Sequence, residues 1–384
     1  MKNKLNILLI CKTMPWQFKG GIQTHTWELA KALKKADHNV SIVVGGPFRS
    51  NEVKTLRKGV EIISLPYFPG RYIKPISFAA EEIAFNLTVR KWVKNHHHNF
   101  DIIHAQGRSG YLLFGLRGIR QKLVSTVHGL VELENNHIKW YDLNRHIHRY
   151  LAKSFESKLL EQSKISISVS ETLKGQMKVS RSTDNEVHVI PNGVNTDHST
   201  NTAKRSAFQR FLFVGRLHPV KGISAIVEHM RFANQNICLD IIGDGSEKQK
   251  IQASIKQYAL EGRVRLLGEH SNAKVHEVLP YYQALILPSQ YETQGIVLLE
   301  ANAHAIPVIA SDIPAIRETI ENEHNGLLCD PSKPLEFIEA MEYLSSKPTI
   351  AHQMGVKGML KVQHSYKWST IAERTIDTYY KIAQ

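Results

Sequence analysis

Two glutamates eight positions apart, Glu292 and Glu300, are the residues whose type and spacing point most directly to chemistry. Gly295 lies between them and opens an apolar pattern of helical period that carries Glu300. Glu292 therefore precedes a helix, and Glu300 lies about one and a half turns inside it. Because amides at a helix N-terminus bind anions, the two carboxylates are predicted to flank a phosphate site. A nucleotide sugar, with hydroxyls on both sides of its phosphates, has the matching layout.

Two apolar runs must position this pair of carboxylates. Residues 284–287 and 306–310 are short and apolar, which predicts two buried strands with the helix between them. Open α/β sheets bind their ligands at the carboxyl ends of the strands. Glu292 follows the first of these strands and is therefore predicted to lie at the ligand-binding edge.

Two cations follow another predicted strand. Arg216 and Lys221 lie in the segment 211–222, where an apolar run gives way to a Gly-Arg turn. Arginine offers a fork for phosphate oxygens, and lysine offers a compact point charge. Taken alone, the segment fits a strand-end turn with two solvated cations equally well. Beside Glu292 and Glu300, it favours a phosphate site.

The first half of the chain contributes a glycine pair and a histidine. Gly20 and Gly21 follow the first predicted strand and open a helix, so their amides could approach a ligand, although such pairs also occur in plain turns. His128 directly follows a buried strand and should face a cleft; a capping or packing histidine is the competing interpretation. His104 ends a strand and fits a structural role as well as a functional one.

Two further patterns imitate functional motifs. Gly243 and Gly245 resemble the start of a dinucleotide fingerprint, but Lys248 takes the place of the third glycine and no acidic residue follows at the required distance. We therefore reject a dehydrogenase site, while these glycines could still admit the base or ribose edge of a nucleotide. The run 96–98, three histidines, has no spaced cysteine or carboxylate partner, which favours a solvated helix end over a metal site.

Length and composition favour a protein with two domains. The chain has 384 residues, of which 42% are hydrophobic. No apolar run reaches the roughly 18 residues of a membrane span. The first apolar stretch is short, is followed by Lys12 and lacks a cleavage site, so it is interpreted as a strand and not as a signal peptide. Three cysteines far apart in apolar contexts favour free thiols in a reducing cytoplasm.

The charge is distributed unevenly along the chain. Residues 1–195 hold 29 Lys and Arg against 15 Asp and Glu, whereas residues 196–384 hold 20 of each, so the net charge of +14 belongs to the first half. A basic half could meet nucleic acid, anionic lipid or a phosphorylated acceptor, or it could be a well-solvated surface.

Apolar runs alternate with amphipathic segments of helical length, which is typical of parallel sheets with crossover helices. The polar stretch 191–210 separates two such series and is the predicted linker. The predicted fold class is therefore α/β, with two Rossmann-like, doubly wound parallel-sheet domains facing across a cleft. The predicted strands are 5–11, 40–44, 60–65, 102–105, 123–127, 165–169, 187–190, 211–214, 238–242, 264–267, 284–287 and 307–310.

With these residues in view, the chain resembles the retaining glycosyltransferases of family 4, also called group 1 glycosyltransferases, over essentially its whole length. The resemblance implies the GT-B fold, with an acceptor-binding domain at 1–195 and a donor-binding domain at 196–365. It also implies that a final helix, within 366–384, crosses back onto the first domain. The motifs that carry it are GGIQTH (20–25), STVHG (125–129), SVSE (168–171), IPNGV (190–194), VGRLHPVKG (214–222), IIGDG (241–245) and the glutamate pair.

The resemblance also implies roles for individual residues. His128 would be catalytic, over the donor sugar, and Glu292 would contact the transferred sugar and stabilise charge near the reacting carbon. Gln23 and His25 would lie on the acceptor side. The implied donor-binding residues are Arg216 and Lys221 at the diphosphate, Glu300 at the ribose, and Gly20, Gly21, Asn192, Gly243, Gln294 and Gly295.

Four positions depart from the usual family pattern. Gln294 stands where an aromatic residue is common, and Asn302 and Ala305 replace a methionine and a glycine. Pro314 lies where a pair of glycines is frequent, which reduces backbone freedom near the sugar pocket. None of these changes removes a charged donor contact, so they affect the choice of donor sugar more than the activity.

The implied reaction transfers a sugar from a UDP- or GDP-sugar to an acceptor hydroxyl with retention of configuration, by a front-face, oxocarbenium-like route. No cofactor and no metal are expected, because cations and a helix dipole would neutralise the leaving diphosphate. The acceptor would be a glycan or a lipid-linked molecule in cell-surface polysaccharide or glycolipid synthesis. The protein would be cytoplasmic, with its basic half at the inner face of an anionic membrane, and no nucleic-acid partner is expected.

Two alternatives stay open on the sequence alone. One is a sugar-nucleotide epimerase or a phosphorylase on the same fold. An epimerase would need acid/base residues around the sugar, and a phosphorylase usually has a pyridoxal-binding lysine and a longer chain; neither is apparent. The other is a non-enzymatic protein that binds an anionic surface through the basic half.

Overall fold

The computed structural model describes residues 3–18, 20–73, 76–130, 143–180, 186–196 and 209–383. The chain divides into two compact units: unit 1 comprises Met1–Gly193 with Trp368–Gln384, and unit 2 comprises Val194–Lys367. Each unit is built on one sheet with helices, which confirms the α/β fold class. Most of the predicted linker, 191–210, lies outside the described residues.

Unit 1 contains an eight-stranded sheet. Its strands are β1 (Asn6–Ile10), β2 (Asn39–Gly46), β3 (Val53–Arg57), β4 (Val60–Pro66), β5 (Ile102–Gln106), β6 (Leu123–Val127), β7 (Ile165–Ser168) and β8 (Glu186–Val189). They are arranged in the order β3-β4-β2-β1-β5-β6-β7-β8. Neighbouring strands are parallel, except for the antiparallel pair β3 and β4.

Both faces of the unit 1 sheet are buried, which explains why its central strands are continuous apolar runs. In β1, Ile7 and Leu9 belong to one hydrophobic cluster, and Leu8 and Ile10 belong to the cluster on the opposite face. Alternate side chains of a strand point to opposite sides, so an apolar strand makes both faces of the sheet apolar. Helices cover both faces. The described helices of the N-terminal part are α1 (Gly21–Lys35), α2 (Ser77–His96), α3 (Leu143–Gln162) and α4 (Glu171–Ser180).

Unit 2 contains a six-stranded sheet in which all neighbouring strands are parallel. Its strands are β9 (Gln209–Val214), β10 (Ile237–Ile242), β11 (Val264–Gly268), β12 (Leu285–Leu287), β13 (Val308–Ser311) and β14 (Gly326–Cys329). Their order is β11-β10-β9-β12-β13-β14. One hydrophobic cluster that includes Phe211, Phe213 and Phe337 forms the core.

The helices of unit 2 connect these strands and pack on the sheet. They are α5 (Ile223–His229), α6 (Lys248–Gln257), α7 (Asn272–Val278), α8 (Ile296–Ala303), α9 (Pro314–Arg317), α10 (Pro334–Ser346) and α11 (Pro348–Ser365). Helix α8 begins one residue after Gly295 and carries Glu300, as the sequence pattern predicted.

The last helix, α12 (Trp368–Ala383), belongs to unit 1 although it follows unit 2 in the chain. Ile371, Ile376 and Tyr379 recur at helical spacing and are buried in the same cluster as Ile7 and Leu9. Unit 1 is therefore completed only by the end of the chain.

The twelve predicted strands are confirmed, and two strands were missed. β3 is antiparallel and all five of its residues are exposed, so it has no apolar run to mark it. This strand is a correction to the all-parallel prediction for the first half. β14 is a four-residue edge strand whose two central leucines are only half-buried, which gives too short a signal.

Candidate functional site

In unit 2, the strand order reverses between β9 and β12. From β9 the chain builds β10 and β11 on one side and then returns to add β12, β13 and β14 on the other. Loops that leave adjacent strands at such a switch point run in opposite directions and open a crevice, where doubly wound sheets bind ligands. Arg216 and Lys221 follow β9, and Glu292 follows β12. Three predicted site residues therefore leave the two strands of this switch point.

Lys221 and Glu292 form an ion pair at this edge, between Nζ and Oε1. Ser289 Oγ donates a hydrogen bond to the same carboxylate oxygen at 2.9 Å. The two side chains are 23% and 12% exposed, so water screens the pair less than it would a surface pair. An ammonium has three donors, so Lys221 can bind an anion while it remains paired with Glu292.

The loop that holds Lys221 approaches the loop before Glu292 very closely. Gly222 has a φ of 68°, and a Cβ atom built there would lie 2.1 Å from the carbonyl oxygen of Pro288. The amide of Gln290 donates to the carbonyl of Val220 at 2.8 Å, which fastens the two loops together. Any larger residue at position 222 would force them apart, so this glycine is required by the ion pair's geometry.

Contacts within the protein explain the residue type at position 243 but not the arginine at position 216. Arg216 is exposed, and its guanidinium pairs with no residue that the structure describes. Gly243 has a φ of 148°, and a Cβ atom there would lie 1.9 Å from the carbonyl oxygen of Gly215. Close packing of two backbone segments explains the glycine at 243 without a ligand, so its donor contact stays a prediction.

Gln294 and Gly295 directly precede α8. Gly295 is the N-cap of the helix and adopts a left-handed conformation, with a φ of 76°. Gln294 is buried, at 2% exposure. In the first turn of α8, the amide of Leu298 donates to the carbonyl of Gly295 at 2.9 Å. The amides that precede it cannot bond within the helix, which gives this end the positive character of an anion site.

Glu300 lies in α8 in a largely buried setting. Asn272 Nδ2 donates to Glu300 Oε1 at 3.0 Å, and His276 Nε2 lies 3.7 Å from the same oxygen. Burial raises the pKa of Glu300 to about 7, against the hydrogen bond from Asn272, which lowers it. When it is ionised, the Glu300 carboxylate can accept hydrogen bonds from a ligand diol.

Three residues around Glu300 were not found by sequence reasoning. Asn272 and His276 lie on α7, and His276 Nδ1 is 3.0 Å from His304 Nε2. His304 occupies the variable position of the family motif after Glu300, which is why the motif gave no signal for it. Its helical spacing of four residues from Glu300 was the available clue.

The departures from the family pattern have structural roles in unit 2. Asn302 is buried, donates to the carbonyl of Ile306 at 3.1 Å and accepts from Asn325 Nδ2 at 3.1 Å. Ala305 has a φ of 55°, the left-handed region that a glycine would adopt without strain. Pro314 is the first residue of α9, a position that tolerates proline because no helical hydrogen bond is lost there.

In unit 1, the strand order reverses between β1 and β5. Gly20 and Gly21 follow β1, and Gln106 is the last residue of β5. His128 follows β6, the next strand along the same edge. The N-terminal site residues therefore lie at the carboxyl edge of their own sheet, at and beside its switch point.

His128 is hydrogen-bonded through its ring to Gln106, whose Oε1 lies 3.1 Å from His128 Nε2. It also lines a small cavity with Gly107, Thr126 and Glu156. Burial lowers the pKa of His128 well below its ordinary value, and His25 and His104 nearby lower it further. His128 is therefore a neutral imidazole near neutral pH.

His25 packs against His128 and is almost fully buried. The two rings meet edge to face with their centroids 4.7 Å apart, and the indole of Trp368 lies 5.4 Å from His25 on a second side. Burial lowers the pKa of His25 to about 4, while a hydrogen bond with Asn192 raises it. The structure thus brings together His25, His128 and Asn192, with Trp368 as a contact that the sequence did not predict.

The glycine loop before α1 is shaped around Gln23. Gln23 Nε2 donates to Thr13 Oγ1 at 2.9 Å. A Cβ atom at Gly20 would lie 2.3 Å from Gln23 Oε1, so the glycine leaves room for this side chain. Gly21 is the first residue of α1.

Two features are absent from the described part of the chain. No group of three or more His, Cys, Asp or Glu side chains could hold a metal ion there. Among those same residues, no helix is both long and apolar enough to cross a membrane. The predicted acceptor loops are residues 67–74 and 130–142, of which residues 74 and 131–142 lie outside the described residues.

Comparison with known protein families gives two matches, one for each half of the chain. Residues 19–198 match the family model described as Glycosyltransferase Family 4. Residues 195–359 match the family model described as Glycosyl transferases group 1. Together the two matches cover nearly all of the chain.

Individual relatives and solved structures align over nearly the whole length. An uncharacterized glycosyltransferase of Methanocaldococcus jannaschii is 26% identical over 99% of this chain and 98% of its own. The solved structure of sucrose-phosphate synthase from Thermosynechococcus elongatus superposes with a TM-score of 0.82, at 21% identity and 99% coverage of both chains. HepE from Anabaena, solved in complex with UDP and glucose, has a TM-score of 0.70 at 18% identity, over 98% of this chain and all of its own.

Proposed function

Because the chain belongs to the group 1 glycosyltransferases of family 4 and has their GT-B fold, we propose that it transfers a sugar from a nucleoside-diphosphate sugar to an acceptor hydroxyl with retention of configuration. Its family makes it a glycosyltransferase. What we propose beyond the family is the donor, the stereochemistry and the acceptor.

The observation that carries the proposal is the cluster at the switch point of unit 2. Arg216 and Lys221 follow β9, and Glu292, which pairs with Lys221, follows β12, the other strand at this crevice. Glu300, held by Asn272, is available for a ribose diol. Cations for a diphosphate and a carboxylate for a ribose are the two recognition elements that a nucleotide needs.

In the proposed reaction, the bond between the anomeric carbon and the diphosphate oxygen breaks as the acceptor hydroxyl attacks the same face. The hydroxyl oxygen forms the new bond to that carbon, and its proton passes to the departing diphosphate oxygen. Arg216, Lys221 and the first-turn amides of α8 would stabilise the charge that develops on the diphosphate. Glu292 would face the transferred sugar and stabilise its positive charge, and His128 would contact a sugar hydroxyl. The distances that govern glycoside hydrolysis do not apply to this route, because no enzyme carboxylate forms a covalent intermediate.

UDP is the first nucleotide to test, because a structural neighbour, HepE, was solved with UDP and glucose. The proposed reaction needs no metal, since Arg216, Lys221 and the helix amides carry the neutralising charge. Activity that survives excess EDTA would support this part of the proposal. Activity that is lost with EDTA and restored by Mg²⁺ or Mn²⁺ would overturn it.

For the acceptor, we propose a glycan or a lipid-linked molecule at an anionic membrane surface, in cell-surface polysaccharide or glycolipid synthesis. Phe48 and Phe68 are exposed at the carboxyl ends of β2 and β4, with ring centroids 5.3 Å apart. Arg49 lies 5.5 Å over the Phe48 ring, and Tyr72 is exposed nearby in the chain. Exposed aromatic rings beside cations suit the interface of an anionic bilayer. This placement would keep the protein in the cytoplasm, at the inner face of the membrane.

Vesicle sedimentation tests the membrane proposal. The wild-type protein should sediment with vesicles that contain phosphatidylglycerol and not with neutral phosphatidylcholine vesicles, and added salt should release it. The double variant Phe48→Ser/Phe68→Ser should sediment less. Equal recovery with both vesicle types at low salt would overturn the membrane proposal and leave the transferase proposal intact.

The transferase proposal is tested with a panel of UDP- and GDP-sugars. The purified protein should be stabilised thermally by at least one donor and should slowly release its nucleoside diphosphate. Arg216→Ala and Glu300→Ala should abolish the stabilisation, while Lys333→Ala, an exposed cation of the same unit, should not. If no donor stabilises the protein and none is consumed, the proposal fails. Once a donor and an acceptor are known, NMR of the product's anomeric proton distinguishes retention from inversion.

A further inference from the structure

A chain of buried hydrogen bonds runs behind His128, through residues that no family motif assigns. Gln106 lies between two histidines: its Oε1 is 3.1 Å from His128 Nε2, and its Nε2 is 3.2 Å from His104 Nε2. His104 continues the chain to Thr126 Oγ1 and to the hydroxyl of Tyr379, each at 2.6 Å. Gln106 and His104 are completely buried, so water cannot take over these contacts.

With the carboxamide of Gln106 oriented as in the structure, these contacts assign the positions of the protons. A carboxamide oxygen only accepts hydrogen bonds, so the hydrogen of neutral His128 lies on Nε2. A carboxamide nitrogen only donates, so His104 Nε2 carries a lone pair, which also accepts from Thr126 Oγ1. Burial, assisted by nearby His25, lowers the pKa of His104 to about 3, so His104 is neutral and its hydrogen lies on Nδ1. Nδ1 faces Tyr379 Oη, which accepts it.

We propose that Gln106 is a positioning residue that holds His128 as the tautomer with hydrogen on Nε2, so that His128 Nδ1 accepts a hydrogen bond from a substrate hydroxyl. His128 Nδ1 has no hydrogen-bond partner among the residues that the structure describes. This inference rests on the proposed function, which gives His128 its contact with the donor sugar. This tautomer excludes one role for His128 Nδ1, because a nitrogen that carries no hydrogen cannot donate a hydrogen bond to the leaving diphosphate.

The chain of hydrogen bonds ends at Tyr379, which lies on α12 near the end of the sequence. Its ring meets the ring of His104 edge to face, with centroids 5.7 Å apart. Tyr379 therefore supports His104, which supports Gln106, which orients His128. A histidine that acts in the reaction is commonly oriented in this way by a partner on its other ring nitrogen.

The first test reads the tautomer directly and needs no substrate. Nitrogen-15 NMR of histidine-labelled protein distinguishes ring nitrogens that carry hydrogen from those that do not, and the signals of His128 among the 20 histidines are those absent in His128→Asn. Hydrogen on Nε2 is expected. Hydrogen on Nδ1 would overturn the inference, and would do so whether or not the protein turns over any nucleotide sugar.

The second test removes the partner. Gln106→Leu should abolish the tautomer preference and lower kcat by about 10- to 100-fold, the effect typical of residues that orient a functional histidine. KM for the donor should change less than kcat, because Gln106 reaches the donor sugar only through His128. Gln106→Glu keeps an accepting oxygen and should retain hydrogen on His128 Nε2. If the wild-type enzyme is active and Gln106→Leu changes neither the tautomer nor kcat, this inference is wrong and the transferase proposal still stands.

Tyr379→Phe keeps the test decisive if Gln106→Leu fails to fold. It removes the acceptor of His104 Nδ1 and should disturb the His128 signals and lower kcat, by less than Gln106→Leu does. Thr375→Val is the matched control: it removes a buried hydrogen bond to Ile371 one turn away on the same helix and should leave both readouts unchanged. Identical behaviour of the two variants would contradict the proposed chain.

Discussion

The predicted site residues of the two units differ in how they are held. In unit 2 the predicted functional side chains are ionisable: Lys221 is paired with Glu292, Arg216 is exposed, and burial raises the pKa of Glu300 to about 7. In unit 1 they are neutral and buried, and hydrogen bonds and ring contacts hold His25 and His128. A charged crevice suits the diphosphate of a donor, whereas neutral imidazoles suit sugar hydroxyls.

The two units place chemically different residues at equivalent positions of their sheets. Both sets of residues lie at the carboxyl edge of a sheet, at or beside the point where its strand order reverses. The position is therefore set by topology, and the chemistry is set by the residues that follow the strands. Substitutions in each unit should have effects of a different kind.

The largest effect is expected from the ion pair in unit 2. Lys221→Met and Glu292→Gln should each lower kcat by about 100- to 1,000-fold, because each removes charge that acts in the transition state and leaves its partner buried without a counter-charge. Steady-state kinetics with the best donor measures this. Lys333→Met is the control for loss of a cation. A loss of less than threefold would mean that the pair has only a structural role.

A smaller effect should appear in the pH dependence of nucleotide binding. Because burial raises the pKa of Glu300 to about 7 and ribose hydroxyls bind the ionised form, affinity should rise as pH increases through 7 and level off above it. Below the pKa, affinity should fall by up to about tenfold per pH unit relative to Glu300→Gln, which lacks this titration.

Asn272 and His276 face Glu300, and His304 contacts His276, so these three side chains must be considered in that measurement. His276→Asn separates the titration of His276 from that of Glu300. Calorimetric titrations between pH 5.5 and 8.5 give the required affinities. Parallel pH profiles for wild type and Glu300→Gln would contradict the assignment of Glu300 to the ribose.

The Glu300 carboxyl should also make the stability of the folded protein depend on pH. Stability should fall as pH rises, whereas nucleotide affinity should rise. The pKa of Glu300 is higher in the folded protein than the ordinary value of 4.5, so the folded state binds a proton that the unfolded state has lost. The stability that Glu300 provides is present below pH 4.5 and is lost as pH rises through about 7. Glu300→Gln should therefore melt at a higher temperature than wild type at pH 8, with a smaller difference at pH 5.

The smallest effect is expected at Ala305, outside both sets of charged and neutral site residues. Ala305→Gly should stabilise the protein by about 1 kcal/mol, because its φ of 55° costs a residue with a Cβ atom about that much. Thermal melts of wild type and variant measure the change. A lower melting temperature for Ala305→Gly would show that the methyl group contributes more through packing than it costs in strain.

Sequence patterns indicated the positions of the charged residues in the fold better than the contacts of the neutral ones. Glu292, Glu300 and Lys221 follow strands in recognisable motifs, and the two units follow from alternating apolar runs and helices. The role of Gln106 has no such signal, since hydrogen-bond partners on adjacent strands depend on how the strands pair. Tyr379 lies 275 positions from His104, and only the folding of α12 onto unit 1 brings them together.

Two features of the fold were hidden for physical reasons. The exposed strand β3 is stabilised by pairing with β4 and not by burial, so hydrophobic periodicity could not reveal it. Asn272 and His276, which contact Glu300, lie on α7, and contacts between helices are not encoded in local spacing.

The most direct test of the central claim is a calorimetric titration of UDP and GDP into wild-type protein, Lys221→Ala and Lys333→Ala. At least one nucleotide should bind the wild type and Lys333→Ala with equal affinity and should bind Lys221→Ala at least tenfold more weakly. Binding that is unchanged in Lys221→Ala, or no binding of either nucleotide to the wild type, would contradict a donor site at the switch point of unit 2.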